Sequence, residues 1–137
     1  RLLDAIAAHD LVICDRYVAS NAAHQGAKLQ GEERRRLLGW LEAVEYGEFG
    51  LPRPDLVVLL DTPVALARTL VARKGARGYT TLEADIHEAD AEHTTATREV
   101  YLELAARDNW RVVTTADGDG GLRDVAEIAD EIWESAR

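Results

Sequence analysis

The 137-residue chain carries a single cysteine, Cys14, so an intrachain disulfide and a multi-thiolate metal site are both excluded. A reducing, cytoplasmic setting is the expectation. Because Cys14 lies inside the apolar run LVICD, it is expected to be a buried small hydrophobe rather than a reactive thiol. Long apolar stretches are also missing: none approaches the roughly 20 residues a membrane crossing needs, so no membrane partner is expected. The opening RLLDAIAAHDL is broken by acidic and polar side chains, unlike a secretory signal. Basic charge is scarce. With 16 Lys+Arg against 25 Asp+Glu the formal charge is −9, which argues against a nucleic acid polymer and leaves room only for a small anion held by local arginines. His87 and His93 stand about 240° apart on a helix, too far round to share a metal. Neither Ser20 nor Ser135 sits in a glycine elbow, and no spacing singles out a carboxylate pair for glycoside chemistry.

What is present reads as one α/β domain. The apolar share of 47% and charged share of 30% suit an ordinary globular core and surface. LVICD at 11–15, DLVVLLD at 55–61 and WRVVTTA at 110–116 are short apolar runs without alternation, as expected of strands covered on both faces in a parallel sheet. Thr62-Pro63 reads as a helix start after the middle strand. The segment 31–47 reads as a helix with Glu32 and Glu33 in its first turn and Leu37, Leu41 and Val44 along one line. Leu38 and Trp40 lie off that line, facing either the monomer's own interior or a partner subunit. In the last helix Leu122, Val125, Ala126, Ala129, Ile132 and Trp133 form a stripe expected to pack on the sheet. Strand and helix alternate, which implies right-handed crossovers.

The chemistry concentrates where the first apolar run stops on Asp15 and Arg16. In parallel sheets ligands bind at the carboxyl ends of strands. A carboxylate there can serve Mg²⁺ beside a transferring phosphate, and a guanidinium offers a planar fork to phosphate oxygens. The plainer alternative is a strand end whose Asp caps the next turn and whose Arg is solvated. Ser20, Asn21, His24 and Gln25 follow on a helix, the last three on one face, able to read a base edge and a sugar hydroxyl or merely to form a polar surface turn. LARTLVARKGARGYTTLEADIHEAD then brings Arg68, Arg73, Lys74 and Arg77 to a glycine-flanked loop, followed by Asp85, Glu88 and Asp90. That pattern suits a lid closing over phosphates, or a cation-rich helix end before a loop.

Taken in order, VICDRYVASNAAHQGAK, PDLVVLLDTPVALARTLVARK, DIHEAD and TREVYLELAARDNWRVVTTAD resemble the thymidylate kinase family over nearly the whole chain. DRY alone is weak; the ordered set is strong. The resemblance implies a three-layer P-loop kinase-like parallel sheet with helices on both faces, in one domain over 1–137 with a lid near 73–88. It implies phosphorylation of dTMP by ATP with Mg²⁺ in a cytoplasmic homodimer. Asp15 is then the metal-side carboxylate. Arg16, Arg73 and Arg77 serve the phosphates, and Ser20, Asn21, His24, Gln25, Asp85, His87 and Glu88 lie around the monophosphate. Ala116 and Asp117 occupy the turn that cradles adenine. His24 and His87 stand where the family often has Tyr, and Arg98 falls on the long helix with a structural role.

One element of the pattern is missing: no G-x-x-x-x-G-K-[ST] occurs, since Gly26-Ala27-Lys28 lacks its glycine partner and DGDGG has no lysine. The expectation is therefore a C-terminal part of such a kinase, without the first strand and phosphate loop and with little kinase activity of its own. The alternatives are a non-catalytic nucleotide-binding or dimerisation fragment, or another deoxynucleotide or deoxynucleoside kinase.

Overall fold

The computed structural model describes residues 2–75 and 83–137, with 74–75 and 83–90 described by backbone alone. The chain divides into two compact units, Arg1–Pro54 and Asp55–Arg137.

The first unit is helical. It contains α1 (Leu2–Ala8), α2 (Val18–Gly26), α3 (Gly31–Glu42) and a π-helical segment, Ala43–Glu48. Small residues let α2 lie close to α3: Val18, Ala22 and Ala23 are buried on the first helix, Leu38 and Leu41 on the second. Arg34 of α3 donates through Nε to the carbonyls of Gly26 (3.1 Å) and Leu29 (2.9 Å), tying α3 to the end of α2 and the loop that follows it. Of the two residues off the expected apolar line, Leu38 is buried inside the unit, whereas Trp40 is 60% exposed. The expected 31–47 helix therefore exists in two parts, α-helical and then wider, ending at Glu48, and the chain leaves it through Gly50, whose φ of +61° suits glycine.

Residues 11–15 do not form the expected strand. They join no ladder among the described residues, and Leu11, Ile13 and Cys14 are exposed. A strand is a pairing rather than a sequence pattern, and without a neighbour the apolar run has nothing to bury it. Cys14 is accordingly an exposed free thiol, not a core residue.

The second unit supplies the α/β character. Here β1 (Val57–Asp61) and β2 (Trp110–Thr114) pair in parallel, Val57 opposite Trp110 and Asp61 opposite Thr114. Among the described residues this is a two-stranded sheet, not the three strands expected. Between the strands run α4 (Val64–Gly75) and α5 (Glu83–Leu104), the crossover a parallel pair requires. Leu66, Val100, Leu104, Trp110, Val113 and Ile128 form the core, Val100 and Val113 being essentially inaccessible. After β2, Ala116 bridges antiparallel to Leu122, which is therefore in a loop rather than on the last helix.

That helix, α6 (Val125–Ser135), packs on β2. Asp124 caps it, accepting from the amides of Ala126 (2.8 Å) and Glu127 (3.4 Å). Its buried line runs through Ile128 and half-buried Ile132, while Val125, Ala126, Ala129 and Trp133 of the expected stripe are exposed. No helix among the described residues is long and apolar enough to cross a membrane.

Candidate functional site

Arg16 is the one non-glycine among the described residues with positive φ, at +68°. A β-carbon there crowds the carbonyl, so the conformation persists only where its surroundings hold it. Part of what holds it is visible: Arg16 Nε donates to Ser20 Oγ at 2.8 Å. Ser20 is 7% exposed, on the inward side of α2, and its amide donates to the Tyr17 carbonyl at 2.9 Å as the helix begins. Asp15 beside it is exposed. The bend at Asp15 and Arg16 thus places an exposed acid and a guanidinium immediately before α2.

Tyr17 fixes the far side of this turn. Its hydroxyl donates to the Pro52 carbonyl at 3.0 Å, tying the start of α2 to the segment that ends the unit. Burial raises the Tyr17 hydroxyl above the ordinary 10.0, and the nearby Cys14 and Glu45 raise it further by charge repulsion of the phenolate.

Along α2, Asn21, His24 and Gln25 keep the three-and-four spacing read from the sequence. Asn21 and Gln25 are exposed and His24 is half-buried. Asn21 Nδ2 donates to Glu45 Oε1 at 3.1 Å, which leaves its Oδ1 as the outward acceptor. Gln25 Oε1 accepts from Lys28 Nζ at 2.9 Å. Glu45 and Tyr17 are the two participants the sequence reading missed. Glu45 reaches Asn21 from the π-helical segment, a widening often found at functional sites and invisible to residue periodicity.

In the second unit, the carboxyl ends of β1 and β2 carry polar groups. Asp61 accepts from Arg98 Nε at 2.6 Å and from Nη2 at 2.8 Å, a bidentate pair that raises the guanidinium pKa, mainly through the hydrogen bond. Arg98 thus joins α5 to the end of β1. The Thr115 hydroxyl donates to Thr62 Oγ1 at 2.8 Å, and the Thr115 amide to the Asp61 carbonyl at 3.0 Å. Ala116 is half-buried. Asp117 is exposed, but its Oδ1 accepts from the amides of Asp119 (3.0 Å) and Gly121 (2.7 Å), so this carboxylate builds its own loop.

Arg73 stands exposed in the last turn of α4. Arg77 lies outside the described residues. Asp85, His87 and Glu88 fall on the first turns of α5, their side chains outside the described residues. No group of three or more His, Cys, Asp or Glu positioned to hold a metal occurs among the described residues. Asp15 therefore offers a cation one exposed carboxylate. That is a donor set suited to Mg²⁺, which keeps several waters and takes its other oxygens from nucleotide phosphates.

A parallel α/β unit with crossover helices, in the same chain as an exposed acid and a tethered guanidinium, is consistent with the fold class of the nucleotide kinases. The sequence matches the thymidylate kinase family over residues 2–124, and the chain belongs to that family. It is 40% identical over 116 residues to the thymidylate kinase of Mycobacterium tuberculosis, covering 82% of this chain and 53% of that protein. The Rhodopseudomonas palustris thymidylate kinase is 37% identical over 135 residues (97% of this chain, 53% of that protein). That of Thermomicrobium roseum is 36% identical over 135 residues (97% and 57%). The chain spans about half the length of the curated relatives it matches.

Proposed function

We propose that the protein carrying this chain phosphorylates dTMP to dTDP, with ATP as donor and Mg²⁺ as its cofactor. The observation that carries the reading is Arg16, held at φ +68° with Nε bonded to Ser20. Among the described residues its terminal Nη groups have no partner, so they remain available to phosphate oxygens beside Asp15. Transfer rests on positioning and charge neutralisation rather than on a covalent intermediate. Arg16 neutralises phosphoryl oxygens, and the sequence resemblance assigns Arg73 and Arg77 the same role. Asp15 would hold the metal, which when bound would supply charge neutralisation at the phosphates.

Asn21, His24 and Gln25 orient the acceptor nucleotide, and the sequence resemblance assigns Asp85, His87 and Glu88 to the same substrate. Ala116 and Asp117 border adenine. There the loop backbone is the better candidate contact, since the Asp117 carboxylate is occupied by its own turn. Residues 1–137 carry no phosphate loop, so transfer by this segment alone is expected to be negligible. The protein is proposed to be cytoplasmic, which suits an exposed free thiol, and homodimeric, with Trp40 and Phe49, 60% and 68% exposed, as contact residues.

A coupled phosphoryl-transfer assay on the full-length protein with dTMP, dCMP and AMP tests the reading. Strong preference for dTMP supports it; equal or greater turnover of dCMP or AMP assigns another nucleotide kinase. Absence of transfer together with tight self-association favours the dimerisation reading, which the exposed Trp40 supports.

A further inference from the structure

Ser20 was expected to touch the nucleotide, yet its hydroxyl sits on the inward side of α2, 7% exposed, and accepts from Arg16 Nε at 2.8 Å. A guanidinium has five N–H donors in one plane. Committing Nε to a buried oxygen fixes that plane while leaving the four Nη hydrogens for an oxyanion. The residue so fixed is also the one with a left-handed backbone, so turn and tether together select a single orientation.

We propose that Ser20 is a positioning residue: it touches no substrate and acts through Arg16, pre-orienting the guanidinium for the phosphate. The inference deepens the kinase reading and rests on it. Before a phosphate arrives, a free arginine samples many rotamers, whereas one held at Nε presents its terminal amines already aligned. Placement errors of an ångström at a reacting group are costly in rate. Ser20 therefore contributes to phosphate recognition and turnover but not to recognition of the base or sugar.

The test is a double-mutant cycle in the full-length protein: wild type, Ser20→Ala, Arg16→Ala and the double variant. It reads kcat/KM for dTMP and calorimetric affinity for thymidine, which lacks the phosphate. Ser20→Ala should lower kcat/KM by about tenfold. Thymidine affinity should stay within about twofold, and in the Arg16→Ala background the serine change should add no further loss beyond about twofold. Ser20→Cys, close in size but with a poor acceptor, should show the same pattern and provides the reading if the alanine variant does not fold. A wild-type rate for both Ser20 variants, with Arg16→Ala crippled, would overturn the positioning role and leave the kinase reading intact. Weakened thymidine binding, or added loss in the Arg16→Ala background, would also overturn it, by showing that Ser20 acts other than through Arg16. Full activity of Arg16→Ala would instead sink the site reading on which the inference stands.

Discussion

Arg98 and Asp61 meet through two parallel hydrogen bonds, 2.6 and 2.8 Å long, that join the long helix α5 to the last residue of strand β1. Sequence places them far apart; the fold makes them one unit. The Asp61 side chain is 15% exposed and that of Arg98 38%, so the pair is partly shielded from the screening that makes surface ion pairs weak.

Arg98→Ala should therefore destabilise the chain by about 1–3 kcal/mol, leaving a half-buried carboxylate unpaired. Arg98→Lys should recover only part of this, since an ammonium keeps the charge but loses the fork. Urea unfolding of the two variants checks the order.

Arg16 provides a sharper contrast between stability and activity. At φ +68° a side chain is strained, so Arg16→Gly should be more stable than Arg16→Ala by about 1–2 kcal/mol, although neither variant carries the guanidinium. Thermal melts of the pair read the difference. Equal melting temperatures would show that the backbone relaxes when the arginine is removed.

The loop after β2 depends on a close approach. A β-carbon on Gly121 would lie 2.7 Å from Asp117 Oδ2, in a carboxylate already held by two loop amides. Gly121→Ala should destabilise by about 1–3 kcal/mol, a range typical of overpacking. Asp117→Ala removes the obstacle but also the two bonds, so it should not rescue the variant. Denaturant midpoints of the single and double variants test this.

Tyr17 predicts a pH dependence with a definite sign. Its folded-state pKa is raised above the ordinary 10.0, so the folded chain holds the phenol proton more tightly than the unfolded chain. That contribution is fully present below about pH 10 and is lost as pH rises through the raised folded value. Unfolding free energy of wild type should thus fall more steeply above pH 10 than that of Tyr17→Phe, which should itself be less stable at neutral pH by about 0.5–1.5 kcal/mol through loss of the bond to Pro52. A phenolate titration by ultraviolet absorbance locates the transition.

Several of these features were legible in the residues and others were not. DLVVLLD and WRVVTTA announced β1 and β2 because a continuous apolar run bounded by turn residues has few other uses. LVICD reads the same way, yet Leu11 and Ile13 are exposed, since pairing is a property of the neighbour and not of the run. The helix on which Asn21, His24 and Gln25 sit was readable from spacing. The inward hydroxyl of Ser20 was not, because a serine two residues into a helix looks polar whichever way it points. The π-helical turn that brings Glu45 to Asn21 leaves no periodic trace, and no glycine or asparagine marks the left-handed backbone of Arg16. The position to which the proposed function gives the central role is thus the one where local preference and observed conformation disagree.

The claim underlying the account is that the free face of Arg16 receives a nucleotide's phosphate. Isothermal titration of the full-length protein with dTMP and with thymidine, for wild type and Arg16→Ala, measures it directly. Wild type should bind dTMP at least about tenfold more tightly than thymidine, and the arginine variant should lose most of that preference while holding thymidine as before. A dTMP-to-thymidine preference unchanged by Arg16→Ala would contradict the account.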